Sequence, residues 1–294
     1  MITLKRTTTL AVVLGLCAFS NAASAAEVKA EELFNLGGFP VTNSMLTTWI
    51  FTAIIILFFR FVLLRGGARL VPGKGQLAIE SMINSLSGIL EPLMGKRAFK
   101  ACFPLLLGFF AYILIMNWSG LLPGVGSIGQ ERAAETAGGA AHFVPFLRPA
   151  NTDLNTTLAL AIISFVAWII FVLKYAGLKV FLHDTFGNKA DRSETPYVLY
   201  LFLFVIFFAV GCIDVISIIM RLLSLSFRLY GNNFGGEALL ENMHEMALGL
   251  PRWFSWIIPL PFYLLELLIG LIQAFLFTLL TAVYIGLLTN HENE

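Results

Sequence analysis

The chain has 294 residues, 58% of them hydrophobic and only 13% charged, with a mean hydropathy of +0.83. A soluble domain of this size cannot hide so much apolar surface, so the balance describes a polytopic membrane protein. The net charge of +1 leaves no footprint for nucleic acid.

Residues 1–25 have the parts of a cleavable secretory signal: Lys5 and Arg6, an apolar core at 10–19, and the small-residue site Ala23-Ser24-Ala25. The ten residues of that core are too few for a membrane anchor, because a spanning helix needs about 20 apolar residues. The remainder, 26–294, is expected to form a single membrane domain without internal repeats. Cys102 and Cys212 lie in apolar surroundings without metal-ligand spacing and read as packing residues.

A first span is expected over 45–64, ended by Arg60, Arg65 and Arg69, whose stems can snorkel to the interface. From Gln76 to Met94, Leu77, Ile79, Met82, Ile83, Leu86, Leu90 and Leu93 alternate with Gln76, Glu80, Asn84, Ser87 and Glu91. That spacing predicts an amphipathic helix lying at the interface, not a span. A second span is expected over 103–122, stopped by Pro123-Gly124. The Gly- and Ala-rich stretch 124–151 reads as a loop, and a third span covers 154–175. Lys174, Lys179, Lys189 and Arg192 mark a basic loop. From Pro196 the chain is apolar almost to Asn290, punctuated at Asp214, at 231–236 and at 248–261. The basic regions 65–100 and 174–192 should be cytoplasmic, and 124–151 outside. A signal that translocates the mature N-terminus independently gives the same orientation, and an odd number of crossings puts the C-terminus in the cytoplasm.

Polar residues inside this apolar half carry the chemistry. Arg228 sits within 216–240, where an arginine costs about 2.5 kcal/mol or more to insert and so needs a partner, a water path or a purpose. Its guanidinium stays protonated, so it is a fixed cation and not a proton donor. Asn232, four residues on, shares its helical face, and Arg221, seven back, lies nearly on that face about 10 Å away. Asp214 is about 21 Å back along the axis, and Glu237 is about 13 Å forward and near 180° round. Acids on both axial sides of the cation, on different faces, suggest two separate approaches to a central arginine. In the last helix Glu266 and Gln273 share a face. A turn within 248–261 makes the two long segments an antiparallel hairpin whose register the sequence leaves open. A purely structural reading has Arg228 satisfied by Glu237 or Gln273, Asp214 at the headgroups and His244 snorkelling to an interface. The sequons beginning at Asn117 and Asn155 abut membrane spans and are discounted as glycosylation sites.

The run Ser224-Leu225-Ser226-Phe227-Arg228-Leu229-Tyr230-Gly231-Asn232, with Glu237 beyond it, resembles subunit a of the F-type ATP synthase membrane sector. Leu271-Ile272-Gln273-Ala274-Phe275-Leu276-Phe277, continuing to Thr281-Ala282-Val283-Tyr284, is similar to that family's last helix. So are Val71-Pro72-Gly73-Lys74, Met116-Asn117 with Leu121-Leu122-Pro123, and Asp153-Leu154-Asn155-Thr156-Thr157-Leu158. The chain departs from the pattern at Leu222, where proline is frequent, and at Asn233 and Gly235, where bulkier residues are usual.

The resemblance implies an all-α integral membrane protein, a polytopic helical bundle ending in a hairpin of two long tilted helices. Its partners would be a rotating ring of c subunits, peripheral-stalk b subunits, the soluble catalytic head and membrane lipid, in the bacterial inner membrane. Arg228 would be the stator arginine, holding a ring carboxylate ionised and blocking leakage between two aqueous half-channels. Asn232, Glu237 and Gln273 would be the arginine's polar channel neighbours, with Glu237 and Glu266 relaying protons on the outer side and Asp214 on the cytoplasmic side. The chain alone would catalyse no bond chemistry and need no cofactor. A secondary transporter would instead use the buried charges as a substrate site, but its usual inverted repeats with broken helices are not found. A structural membrane scaffold would leave the intramembrane acids without a role.

Overall fold

The computed structural model describes residues 30–66, 74–122, 125–126, 128–132, 142–175, 177–187, 196–248, 251 and 254–289. The signal expected at 1–25 lies outside them, as do Arg69, Pro123-Gly124, Lys189, Arg192 and His291.

The described chain opens with a small antiparallel hairpin, β1 (Glu32–Leu36) and β2 (Phe39–Thr42). Gly37 and Gly38 join the strands with φ of +57° and +94°, the left-handed pair that a two-residue hairpin turn requires. Thr42 then starts α1 (Asn43–Gly66), its Oγ1 accepting the Met45 backbone N–H at 3.3 Å as a helix cap does. Next come α2 (Lys74–Met94) and α3 (Lys96–Ser119), then a second hairpin, β3 (Gly129–Arg132) with β4 (His142–Pro145). A turn of 3-10 helix (Ala150–Thr152) leads into α4 (Leu154–Tyr175), α5 (Gly177–Phe186), α6 (Tyr197–Leu248) and α7 (Leu260–Thr289). By length and composition α3, α4, most of α6 and most of α7 can cross a membrane, and Asn43–Phe58 of α1 is a further apolar helix.

Helix α7 is the hub, packed against α2, α3, α4 and α6. Leu90, Met94, Leu106, Ile113, Leu229, Phe277 and Ile285 form the buried core, and Phe109 meets Phe277 edge to face at 5.5 Å between centroids. Polar groups clamp the helices in hydrocarbon. Asn117 Nδ2 donates to the Gly270 carbonyl at 3.1 Å, Trp118 Nε1 to that of Leu267 at 3.1 Å and Trp168 Nε1 to that of Tyr284 at 3.0 Å. Interhelical bonds of this kind contribute about 0.6 kcal/mol each in a membrane protein. The buried Asn117 is thus a tie between helices, consistent with discounting its sequon.

Several expectations need correction. The stretch 124–151 is not a plain loop, since it contains the β3–β4 hairpin, and the basic region after α4 contains α5. Helix α3 begins at Lys96, ahead of the expected 103, and runs through Pro104. Helix α2 is not among the spanning helices, as its amphipathic pattern predicts. It does not simply lie at the interface, however: Leu86, Leu90 and Met94 are buried, and the helix packs on α3 and α7.

The largest difference is α6, which continues unbroken through both Asp214 and 231–236. An interior glycine costs about 1 kcal/mol against alanine. A broken helix in hydrocarbon leaves backbone groups unsatisfied at several kcal/mol each, so continuity wins. At 52 residues α6 is about 78 Å long, against a hydrocarbon thickness of about 30 Å, so it must tilt strongly or project. Phe202, Val205, Ile213, Ile216 and Met220 on it are exposed, an apolar surface suited to lipid or another membrane subunit.

Candidate ion-translocation site

Helix α6 turns two faces in different directions around its arginine. Leu225, Ser226 and Leu229 are buried, and the Ser226 hydroxyl lies 3.3 Å from that of Thr157 on α4. Phe227 and Arg228 face outward and are exposed. Among the described residues the Arg228 side chain makes no hydrogen bond and no ion pair. The structural reading, in which Glu237 or Gln273 satisfies Arg228, is therefore corrected: both side chains are engaged elsewhere.

Gln273, only 2% exposed, accepts a hydrogen bond from Asn232 Nδ2 at 2.9 Å. This bond fixes the register of the α6–α7 hairpin and sets Gln273 one helical turn from Arg228. The Gln273 Nε2 is buried without a hydrogen-bond partner among the described residues. One turn further, Gly236 packs directly on the Glu266 carboxylate of α7, an approach that only a residue without a side chain permits.

Glu237, nine residues after Arg228, points to the opposite side as helical geometry requires and meets Arg148. Arg148 Nη2 is 3.1 Å from Glu237 Oε2, and its Nε is 3.3 Å from Oε1, a forked contact. Arg148 is 5% exposed and comes from the segment between β4 and the 3-10 turn. Sequence reasoning missed it, because it is a single cation in a charge-balanced loop and its partner is 89 residues away. The one local signal was an arginine flanked by Leu147 and Pro149 rather than by polar residues.

These side chains wall a cavity of about 730 Å³. Asn232, Glu237 and His244 of α6 face it with Tyr263, Glu266 and Gln273 of α7, and Arg148, Asn117 and Glu31 complete the wall. Four of the six residues singled out by spacing or resemblance thus line one cavity, Asn232, Glu237, Glu266 and Gln273, while Arg228 lies one helical turn before Asn232 on α6 and is not among the lining residues. Asp214 does not join them. It is exposed, two helical turns before Arg221, and has no side-chain partner among the described residues. Arg221 stacks over the Tyr284 ring at 3.9 Å and lines a second, smaller cavity of about 40 Å³ with Ser164, Leu225 and Thr281. Along α6 Arg228 therefore stands between a small cavity reached from 221–225 and a large one reached from 232–244. The large one offers carboxyl, amide and imidazole groups able to pass protons or hold water. Among the described residues no group of three or more His, Cys, Asp or Glu gathers in a way that could hold a metal ion.

Residues 45–286 match the family described as ATP synthase A chain. The chain is 29% identical over 259 residues to ATP synthase subunit a of Moorella thermoacetica, covering 88% of this chain and 96% of that protein. It is 31% identical over 249 residues to ATP synthase subunit a of Desulfotalea psychrophila, covering 85% of each. A third relative, ATP synthase subunit a 2 of a Bradyrhizobium species, is 30% identical over 254 residues, 86% of this chain and 92% of its own. Helix α6 with Arg228, Asn232 and Glu237, and Glu266 and Gln273 of α7, fall inside the matched residues, and the chain belongs to the ATP synthase A chain family.

Proposed function

We propose that this chain is the ion-channel stator subunit of an F-type ATP synthase, carrying protons through two half-channels to and from carboxylates on a rotating c-ring. The observation that carries this reading is the pair of cavities separated along α6 by an exposed Arg228 that has no side-chain partner among the described residues. A proton reaches the ring through the large cavity, past Glu266, Glu237, Asn232 and Gln273. The ring carboxylate meets Arg228, which holds it ionised by opposite charge and denies ions a direct passage. On the other side the path leads past Arg221 toward Asp214. The chain makes and breaks no covalent bond; the soluble head does that, and peripheral-stalk b subunits hold the two together.

In this reading the chain sits in a bacterial inner membrane, with the large cavity on the outer side, the mature N-terminus outside and the C-terminus in the cytoplasm. The basic character of 65–100 and 174–192 supports that orientation. A single cysteine placed in 133–140 of intact cells should react with an impermeant reagent added outside. Reaction only after lysis would reverse the orientation.

The function itself is tested by purifying the tagged chain from its membrane and reconstituting what comes with it. A c-ring and stalk should co-purify, and the vesicles should pump protons on ATP addition. Glu237→Gln with Glu266→Gln, which keeps size and removes titration, should lower that pumping by roughly tenfold or more with assembly intact. A chain that purifies without a ring, or a double variant that pumps normally, would contradict the assignment.

A further inference from the structure

Two arginines sit on one strip of α6. Seven residues bring a helix within about 20° of two full turns, so Arg221 and Arg228 share a line and stand about 10 Å apart. Their side chains end in different places. Arg228 is exposed, beside Phe227, on the outward side of α6. Arg221 is half-buried, and its guanidinium carbon lies 3.9 Å from the centroid of the Tyr284 ring on α7. Among the described residues Arg221 makes no hydrogen bond and no ion pair, so the ring is what its charge rests on. The negative face of an aromatic ring attracts a planar cation without supplying a counter-charge. Tyr284 is held for this contact. Trp168 Nε1 on α4 donates to its backbone carbonyl at 3.0 Å, and Trp168 packs on Phe165 and Phe181, with centroids 5.7 and 6.0 Å away. Three residues before Tyr284, Thr281 Oγ1 lies 2.9 Å from Ser164 Oγ of α4. The Tyr284 hydroxyl makes no hydrogen bond among the described residues, so what this side chain presents to Arg221 is its ring.

We propose that Tyr284 is a positioning residue that holds the second cation, Arg221, against α7, so that a ring carboxylate meets a single arginine on the outward strip of α6. This rests on the functional reading above and adds to it what keeps the stator charge single. A carboxylate ionised beside Arg228 must recover a proton once it moves on. A second cation free on the same strip would extend the positive field along the path beside the small cavity. It would favour the ionised form there too and slow that recovery. Seated on the Tyr284 ring, Arg221 is turned instead toward the small cavity between α4, α6 and α7, where Ser164, Phe165 and Trp168 of α4 and Thr281 of α7 are uncharged. On its own helix the charged neighbours are Asp214 and Arg228, each seven residues away.

The test is ATP-driven proton pumping by the whole complex in vesicles, expressed per assembled complex. Tyr284→Leu, which removes the ring and keeps an apolar side chain, should lower the rate by roughly fivefold. Tyr284→Phe keeps the ring and should pump at least about threefold faster than Tyr284→Leu. Tyr284→trifluorophenylalanine keeps the shape but withdraws the negative charge from the ring face, and should fall back toward the leucine rate. Removing the freed cation should rescue the leucine variant, so that Tyr284→Leu with Arg221→Gln pumps at least about threefold faster than Tyr284→Leu alone. Normal pumping by Tyr284→Leu would overturn the proposal. Equal rates for the phenylalanine and leucine variants would make the hydroxyl the working group and overturn it too. A double variant as slow as Tyr284→Leu, or equal rates for the phenylalanine and trifluorophenylalanine variants, would leave Tyr284 a packing residue and overturn it equally. Should the leucine variant fail to assemble, the phenylalanine and trifluorophenylalanine variants, which keep the side-chain volume, decide the matter by themselves. Wild-type complex that fails to pump would instead bring down the functional reading on which the proposal rests.

Discussion

Replacing Arg228 with alanine should abolish both ATP-driven pumping and ion-driven synthesis while leaving the complex assembled. The two halves of that expectation have separate physical grounds. Assembly should survive because the Arg228 side chain is exposed and holds no partner among the described residues. Substitutions at such positions usually change stability by no more than about 0.5 kcal/mol. Coupling should fail because nothing else at this point of α6 supplies a permanent positive charge to make a ring carboxylate release its proton. Arg221, the nearest cation along the helix, is occupied by the Tyr284 ring. Arg228→Lys should also lose most activity, by roughly tenfold or more, since an ammonium lacks the planar fork and can shed its proton when desolvated. Assembly is followed by the yield of complex on affinity purification, and activity by fluorescence quenching in vesicles. An arginine needed for folding would give the reverse pattern, with subunit lost and residual activity following the amount assembled.

Gly236→Leu should close the outer path with comparable effect. A Cβ at this position falls on the Glu266 carboxylate, so a leucine must push that group aside and fill the space between it and the Asn232–Gln273 bond. The helix will not suffer, since leucine is favoured over glycine in a helix interior by up to about 1 kcal/mol. Pumping should fall by at least tenfold, a barrier increase of about 1.4 kcal/mol, at an unchanged level of assembled complex. Gly88→Ala on α2, where a Cβ meets open space, is the matched control and should pump normally. Normal pumping by Gly236→Leu would mean that protons do not pass the Glu266 side of the cavity.

The parts legible in the sequence were those set by local pattern. Helix α4 spans Leu154–Tyr175 as its apolar run indicates, and the turn signals around 248–261 do separate α6 from α7. What local pattern could not give was the outcome of competition between distant parts. Glycine clusters are turn signals in water, but in hydrocarbon the backbone must satisfy itself, and α6 runs through 231–236 intact. The strands of the β3–β4 hairpin are four residues each and carry no alternating apolar pattern to betray them. The pairing of Arg148 with Glu237 needed the loop before α4 to fold back over α6, which no spacing within either segment specifies. The Asn232–Gln273 bond likewise fixes a register that two uniformly apolar helices leave free.

Passive proton flux through reconstituted, assembled membrane sector carrying Arg228→Ala, freed of its soluble head, tests the central claim most directly. With the cation gone, the large and small cavities on either side of it lose the barrier between them, and protons should flow down an imposed gradient faster than through the wild-type sector. A tight Arg228→Ala sector whose complex still pumps in step with ATP hydrolysis would contradict the mechanism.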